Sequence, residues 1–345
     1  MTELMHGAVA NILNAVGGTP LVRINRLGRH TAATFYAKCE YLNPGGSMKD
    51  RIAISIIDGA ERRGEIQPGG TIVEATSGNT GMGLALVAAV RGYRTIFVMP
   101  DKMSQEKIAV LRSVGAEVVI CPTDVAPDDP RSYYCVSRRI ADTTPNAFYA
   151  NQYHNPDNPA AHYRGTGPEL WQQTGGAFDV FCAGMGTGGT LSGTGAYLKA
   201  QRPDLQVVGV DPIGSLYHDY FRTGRLTQAH SYKVEGIGED FLPSTMDVRI
   251  LDEVVQVSDA ECFTMARRLV REEGLLCGGS GGAAMAGAIK YAEAQKRPLR
   301  IVVHLADTAL RYLSKYLDDA WMRAQGFEIT EPAGAPCAPT PSSPG

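Results

Sequence analysis

The stretch "TIVEATSGNTG" (71–81) joins a run of strand-forming residues to the first turn of a helix. "TIVEA" (71–75) has the composition of a buried strand, and a helical pattern then runs from Asn79 to Arg91. Gly, Ser, Thr and Asn fill the turn between them. The stretch therefore predicts a strand–loop–helix unit, the repeating element of α/β folds.

The same alternation continues along most of the chain. The other strand-like runs are "RTIFVMP" (94–100), "EVVIC" (117–121), "FDVFCAG" (178–184), "LQVVGVDP" (205–212) and "LRIVVHL" (299–305). Helical patterns cover 104–114, 259–273 and 280–295. Strands separated by helices predict an α/β fold with mostly parallel sheets that helices cover on both faces.

An Asn/Pro-rich stretch, "NQYHNPDNPAAHY" (151–163), separates two such series, so we expect two α/β domains with a cleft between them. We predict a smaller domain at 45–150 and a larger one that combines 1–44 with 151–328. Residues 329–345 are rich in Pro, Ala and Ser and predict a disordered tail.

Composition excludes several classes of protein. The 345 residues carry a net charge of −3, which does not favour a nucleic-acid partner. No apolar run approaches the ~20 residues that a membrane span needs, and the N-terminus does not resemble a signal peptide. Seven scattered cysteines without CxxC spacing predict reduced thiols and a cytoplasmic protein.

"NPGGSMKDR" (43–51) places one lysine, Lys49, among small residues. A surface loop that leads into a helix, with Ser47 as N-cap, would explain the stretch equally well. The alternative is a lysine that must be approached closely by a ligand. The stretch by itself leaves both interpretations open.

"GMGTGGT" (184–190) follows a strand and opens a helix near Leu191. Its glycines let a ligand approach the backbone and its threonines add hydroxyl donors; these residues are Gly186, Thr187, Gly188, Gly189 and Thr190. The loop "TSGNTG" (76–81) similarly offers hydroxyls and backbone N–H groups at a helix start, which suit a carboxylate or a phosphate. A capped turn would explain that second loop as well.

The first loop also matches G-x-G-x-x-G through Gly184, Gly186 and Gly189, and Asp211 follows at about the distance of a dinucleotide fingerprint. A nicotinamide-dependent dehydrogenase is therefore an alternative. However, a run of five Gly and Thr residues suits a single phosphate, and a dehydrogenase leaves Lys49 unexplained. Pyridoxal phosphate needs a lysine, a cup for one phosphate and, for its amino-acid substrate, a carboxylate site.

Seven motifs in order resemble the β-family (fold type II) of pyridoxal-phosphate enzymes from about Ile12 to Phe327. The resemblance is strongest to its cystathionine β-synthase branch and weaker to cysteine synthase. The motifs are "NPGGSMKDR", "EATSGNTG", "MPDKMSQEK", "NQYHNPDNPAAHY", "GMGTGGT", "VEGIGEDF" and "GGSGGA".

The resemblance implies that Lys49 forms the Schiff base and removes the substrate Cα proton. It also implies that Asn79 binds the ring hydroxyl of the cofactor and that the hydroxyl of Thr308 lies beside the pyridine nitrogen. The residues expected to bind the cofactor phosphate are Gly186, Thr187, Gly188, Gly189 and Thr190. Those expected to bind the substrate carboxylate are Thr76, Ser77, Thr80 and Gln152.

The implied reaction is β-replacement on L-serine or an O-activated serine, through an aminoacrylate, with homocysteine as the nucleophile and cystathionine as the product. The residues expected to orient the second amino acid are Lys102, Tyr153, Gly236 and Glu239. A sulfide-using cysteine synthase or a β-replacement enzyme with another nucleophile is the alternative. The partners are then amino-acid substrates, and the family implies a homodimer.

The chain departs from the family in "LADTALRYLSK" (305–315), where members usually read "LPDSGSRYLSK". The departures affect how the cofactor is expected to bind, and they are Ala306, Thr308 and Ala309. A non-enzymatic protein of the same fold is a further alternative. The chain also lacks the haem-binding extension and the paired regulatory modules of many homologues, so we expect neither haem nor regulation by an adenosyl ligand.

Overall fold

The computed structural model describes residues 4–76, 78–101, 103, 105–126 and 128–329. The strands within these residues are β1 (Leu21–Arg23), β2 (Thr34–Cys39), β3 (Thr71–Ala75), β4 (Arg94–Pro100), β5 (Glu117–Cys121), β6 (Ala147–Tyr149), β7 (Val180–Gly184), β8 (Gln206–Pro212), β9 (Glu253–Val257) and β10 (Arg300–Leu305). The α-helices are α1 (Lys49–Arg63), α2 (Asn79–Arg91), α3 (Gln105–Ser113), α4 (Tyr133–Thr143), α5 (Asp157–Ala161), α6 (Gly167–Thr174), α7 (Gly189–Gln201), α8 (Tyr217–Thr223), α9 (Asp259–Arg268), α10 (Gly279–Gln295) and α11 (Asp319–Ala324).

The larger sheet has six strands in the order β1-β2-β10-β7-β8-β9, and all neighbours are parallel except β1 and β2. Its central strand β7 is buried on both faces. Val180 and Cys182 belong to one apolar cluster with α9 and α10, whereas Phe181 and Ala183 belong to another with α6, α7 and α8. Because successive strand residues point to opposite faces, the unbroken apolar run of this strand requires helices on both sides.

The smaller sheet has four parallel strands in the order β5-β4-β3-β6. Phe97 of β4 packs into the cluster formed with α1 and α2, and the next residue, Val98, packs with Val136 of α4 on the opposite face. This sheet is therefore also covered on both sides.

The predicted α/β class with mostly parallel, helix-covered sheets is confirmed. The helix from Asn79 to Arg91 is found as predicted, but the predicted helix 259–273 is α-helical only to Arg268 and ends in a π-helical turn, Leu269–Glu273. Strands β1, β2, β6 and β9 were not predicted. The division into two domains stays a prediction, and residues 330–345 of the predicted tail lie outside the described residues.

Three loops follow the carboxyl ends of parallel strands and meet at one cleft. The loop after β3 begins at Thr76, the loop after β7 leads through 186–188 into the first residues of α7, and the loop after β10 contains Asp307. Ligands of α/β proteins bind at this end of the strands because the loops there are free to carry polar groups toward a crevice.

Candidate active site

Lys49 is the first residue of α1 and only 8% of its surface is exposed. Its backbone N–H donates to the hydroxyl of Ser47 at 3.2 Å, close to the predicted capping role, although Met48 is the residue that precedes the helix. Gly45 is needed beside it because a Cβ there would overlap the carboxylate of Asp50. The small residues before Lys49 therefore let the chain turn tightly into α1, and the lysine is buried.

Burial lowers the pKa of Lys49 to about 8, while the negative charges of Glu239 and Asp307 act in the opposite direction. A lysine with this pKa is uncharged far more often near neutral pH than an exposed one. Its amine can therefore act as a nucleophile or take up a proton.

The amine faces a cleft of about 750 Å³. The predicted site residues that line this cleft are Lys49, Asn79, Thr80, Gln152, Tyr153, Thr187, Gly236 and Glu239. The other described ones are not among the residues that line it: Thr76, Gly186, Gly188, Gly189, Thr190 and Thr308. Ser77 and Lys102 lie outside the described residues.

The loop 186–190 forms a cup at the start of α7. The first bond of this helix runs from the N–H of Ser192 to the carbonyl of Gly188 at 2.9 Å, so the N–H groups ahead of it have no acceptor within the helix. Gly188 has φ +81°, and a Cβ there would collide with Met246. The cup therefore requires glycine at 188 and presents unused backbone donors of the kind that bind anions.

The loop that begins at Thr76 is organised by its own hydroxyls. The Thr76 hydroxyl accepts hydrogen bonds from the N–H groups of Gly78 (3.0 Å) and Gly81 (3.2 Å). Thr80 donates to the side-chain oxygen of Gln152 at 2.6 Å, and the Gln152 amide donates to the carbonyl of Ala75 at 3.3 Å. Thr80 and Gln152 therefore lie side by side at the cleft.

Asn79 connects this loop to the divergent stretch 305–315. Its amide donates to the carboxylate of Asp307 at 2.8 Å, and its side-chain oxygen accepts a hydrogen bond from Arg311. Arg311 also donates to the carbonyl of Gly45, next to the lysine loop. The stretch 305–315 therefore links the loop after β3, through Asn79, to the lysine loop, through Gly45.

Thr308 does not line the cleft. Its hydroxyl accepts the N–H of Leu310 at 3.3 Å and caps a short turn. Ser280, at the start of α10, does line the cleft, and it lies 3.4 Å from the Asp307 carboxylate. The role predicted for Thr308 stays a prediction that this geometry does not favour. Sequence reasoning overlooked Ser280 although it quoted its motif, "GGSGGA", because a motif does not show which hydroxyl points inward.

Aromatic rings form the wall of the cleft away from the cup. Tyr153 packs edge-to-face on Tyr134 and on Phe241, with ring centroids 5.9 and 5.2 Å apart. Tyr133, Tyr134 and the half-buried Glu239 also line this wall. Sequence reasoning found Tyr153 and Glu239 but not the two tyrosines of α4, which contribute through the tertiary fold.

Asp211 does not support the dinucleotide interpretation. It is fully buried, does not line the cleft, and accepts the N–H of His218 at 2.9 Å. Among the described residues no cluster of three or more His, Cys, Asp or Glu side chains could hold a metal ion. No helix in the described part of the chain is long and apolar enough to cross a membrane.

Comparison with known proteins agrees with this geometry. The family model described as "Pyridoxal-phosphate dependent enzyme" matches residues 12–307. The chain is 46% identical over 317 residues to a cystathionine beta-synthase of Dictyostelium discoideum, covering 92% of this chain and 63% of that protein. It is 40% identical over 331 residues to cysteine synthase 1 of Emericella nidulans, covering 94% and 89%. The chain spans about three fifths of the length of the cystathionine beta-synthases it matches.

A solved structure, that of O-ureido-L-serine synthase, has the same fold with a TM-score of 0.82 and 35% identity, over 92% of this chain and 99% of the other. The residues matched by the family model include Lys49, the cup and Ser280. The chain belongs to the pyridoxal-phosphate dependent enzymes, within their fold type II branch.

Proposed function

We propose that the chain catalyses β-replacement on L-serine or an O-activated serine with homocysteine, giving cystathionine. The observation that carries this proposal is a buried Lys49, with its pKa lowered to about 8 by burial, in a cleft between an anion-binding cup and a second polar loop. The cystathionine beta-synthase relatives support the choice of substrates.

The residues around the cleft fit pyridoxal phosphate. The N–H groups of the cup, that of Thr190 among them, and the hydroxyl of Thr187 would hold its phosphate. Lys49 would bind its aldehyde and Asn79 its ring hydroxyl. We assign the hydroxyl beside the ring nitrogen to Ser280 instead of Thr308, because Ser280 lines the cleft.

When bound, pyridoxal phosphate withdraws electrons from the Cα atom of an attached amino acid. Lys49 Nζ would take up the proton from this Cα, because burial leaves the amine uncharged far more often than that of an exposed lysine. The β-substituent would leave with its electron pair, and Lys49 would return the proton to Cα after the homocysteine thiolate has added to the β-carbon. Enclosure by the cleft walls would keep water away from the reacting carbon.

The substrate carboxylate would bind at the loop that follows β3. Thr80 and Gln152 face the cleft together there, and Thr76 keeps the loop folded around two backbone N–H groups. We propose that Ser77, together with these three residues, completes this carboxylate site, as the family resemblance implies.

The second amino acid would lie against the aromatic wall. Tyr153 and Glu239 offer an apolar face and a carboxylate that suit the chain and the ammonium of homocysteine. We propose that Gly236 and Lys102 contribute to the same subsite. Sulfide would need none of these groups.

A cysteine synthase, or an enzyme with another nucleophile, is the second candidate. The likeness to cysteine synthase 1 and to O-ureido-L-serine synthase favours it, since the same framework carries both of those enzymes. Homocysteine against sulfide, at equal concentration, is the comparison that separates the two candidates.

The test is the visible absorbance of the purified chain, followed by product analysis. We expect a yellow cofactor band that changes with L-serine and is restored by homocysteine as cystathionine appears. Lys49→Ala should lose the band and nearly all turnover, roughly a thousandfold or more. Lys199→Ala is the matched control, because it removes a lysine that is paired with Asp252 at 2.8 Å and does not line the cleft.

A band that responds only to O-acetylserine or O-phosphoserine would keep the cofactor and change the leaving group. Faster turnover with sulfide than with homocysteine would favour the second candidate. A chain that acquires no band after incubation with pyridoxal phosphate would contradict the proposal.

We also propose that the protein is a cytoplasmic homodimer with the two domains predicted above. The described cysteines are all free, which suits a reducing compartment, and the two sheets suit the division at 45–150. Sedimentation of the holoenzyme would test the oligomeric state.

A further inference from the structure

Two side chains of one short segment lie directly behind the threonine hydroxyls of the cup. Asn158 of α5 and His162, the first residue of a π-helical turn, are both buried. Asn158 contacts the hydroxyl of Thr187 at 3.1 Å, and His162 Nε2 contacts the hydroxyl of Thr190 at 3.2 Å. The Thr187 hydroxyl therefore has a donor inside the protein, whereas the Thr190 hydroxyl lies between His162 and the sulfur of Met48.

Close packing of two helices brings this segment to the cup. At Gly189 of α7 a Cβ would collide with Asn158, and at Gly193 it would lie 2.9 Å from the Cβ of His162. Asn158 and His162 are four residues apart, so they share one helix face. The π-helical turn at 162–166 is of a kind that is frequent at functional sites.

The amide orientation of Asn158 is fixed by a second contact. Its Nδ2 atom also donates to the backbone carbonyl of Gln152 at 2.7 Å, and a carbonyl can only accept. The Nδ2 group must therefore donate to Thr187 as well. Since the Thr187 oxygen accepts on the protein side, its own proton is available for a ligand in the cleft.

A similar argument shows which ring nitrogen of His162 carries the proton. The Thr190 hydroxyl lies 3.2 Å from the sulfur of Met48, which has no proton, so Thr190 donates in that direction. Its oxygen then accepts from His162 Nε2–H. Burial lowers the pKa of His162 far below its ordinary value, so the ring is neutral and Nδ1 accepts from Thr166 at 2.9 Å.

We propose that Asn158 is a positioning residue: it donates to the hydroxyl of Thr187 and so turns the proton of that hydroxyl toward a bound phosphate. The Thr190 hydroxyl differs, because its proton already points to Met48. The inference rests on the proposed function, in which this cup holds the phosphate of pyridoxal phosphate. A phosphate dianion accepts hydrogen bonds only, so a hydroxyl held in the orientation of Thr187 binds it without first breaking another bond.

The test compares pyridoxal phosphate with pyridoxal, which lacks the phosphate, by equilibrium dialysis of the apo-protein. Asn158→Leu removes the donor to Thr187, so it should weaken binding of pyridoxal phosphate by about 10- to 100-fold. Binding of pyridoxal should change by less than about twofold. His162→Leu removes the donor to Thr190, whose proton points to Met48, so it should weaken binding of pyridoxal phosphate less than Asn158→Leu does.

Asn158→Asp provides a second variant. It replaces the donor with a carboxylate, so Thr187 would donate to residue 158 and the added charge would repel the phosphate. We expect a loss larger than that of Asn158→Leu, together with a changed phosphorus chemical shift of the cofactor that remains bound. Asn25→Asp, at an exposed asparagine whose side chain donates to the carbonyl of Arg23 at 3.1 Å, is the control for an asparagine replacement.

Wild-type affinity for pyridoxal phosphate in both Asn158→Leu and Asn158→Asp would overturn the inference. Equal losses for pyridoxal phosphate and pyridoxal would also overturn it, because they would indicate a purely structural role. A wild-type chain that binds no pyridoxal phosphate would instead overturn the proposed function and the inference with it. Thermal melting of each variant separates loss of fold from loss of the phosphate.

Discussion

The two polar loops of the cleft are held in different ways. The cup at 186–190 is supported from outside, since its hydroxyls contact Asn158 and His162 and its Thr187 carbonyl accepts from Thr245 at 2.6 Å. The loop after β3 has an anchor of its own, the Thr76 hydroxyl, and its far end contacts Gln152 and Asp307 through Thr80 and Asn79. A cup without such an internal anchor, fixed by side chains behind it, suits a cofactor that stays bound, whereas the loop suits substrates that come and go.

The largest expected effect lies at the cup. Gly188→Ala puts a Cβ into Met246 at φ +81°, so we expect binding of pyridoxal phosphate to fall by about 100-fold and unfolding free energy to fall by about 2–4 kcal/mol. Dialysis and denaturant unfolding would measure the two effects.

Gly92→Ala is the matched control for that substitution. Gly92 has a similar φ of +77°, but no atom lies within 4 Å of the added Cβ. It should therefore show only the backbone cost of about 1–2 kcal/mol, with cofactor affinity unchanged. If both variants lose the same stability and neither loses cofactor, the cup is not held by close packing as described.

A smaller effect is expected at the loop. Thr80→Val removes the hydrogen bond to Gln152 and should raise KM for serine by about tenfold while the cofactor band keeps its full intensity. Thr223→Val, on the exposed end of α8, should leave KM unchanged. Loss of the cofactor band in Thr80→Val would contradict the separation of the two loops.

The smallest expected effect is on the pH dependence of cofactor uptake, which Lys49 controls. Only the uncharged amine attacks an aldehyde, so uptake of pyridoxal phosphate by the apo-protein should accelerate from pH 7 to 9 with a midpoint near the Lys49 pKa of about 8. Glu239 stabilises the charged amine, so Glu239→Gln should lower the midpoint by a fraction of a pH unit. Stopped-flow absorbance would follow the uptake.

Asp240→Asn is the control for this charge, because the neighbouring Asp240 is not among the groups that shift the pKa of Lys49. Its midpoint should match that of the wild-type protein. A wild-type midpoint above pH 10, or a higher midpoint in Glu239→Gln than in the wild-type protein, would show that burial and Glu239 do not set the protonation state of Lys49.

The sequence by itself determined the features that depend on neighbouring residues. The strand 71–75 and the helix Asn79–Arg91 follow from local periodicity, and the glycines of the cup follow from the turn that they must make. The lysine among small residues in "NPGGSMKDR" was also visible, as were the motifs of the family.

Tertiary structure decided everything that depends on contacts between distant segments. Ser280 lines the cleft and Thr308 does not. Asp307 accepts a hydrogen bond from Asn79, which lies 228 positions earlier in the chain, and Asn158 donates to the hydroxyl of Thr187. The pKa of Lys49 likewise depends on burial and on Glu239, far along the chain. Periodicity and turn chemistry are local, whereas burial and electrostatic interactions arise only when the chain has folded.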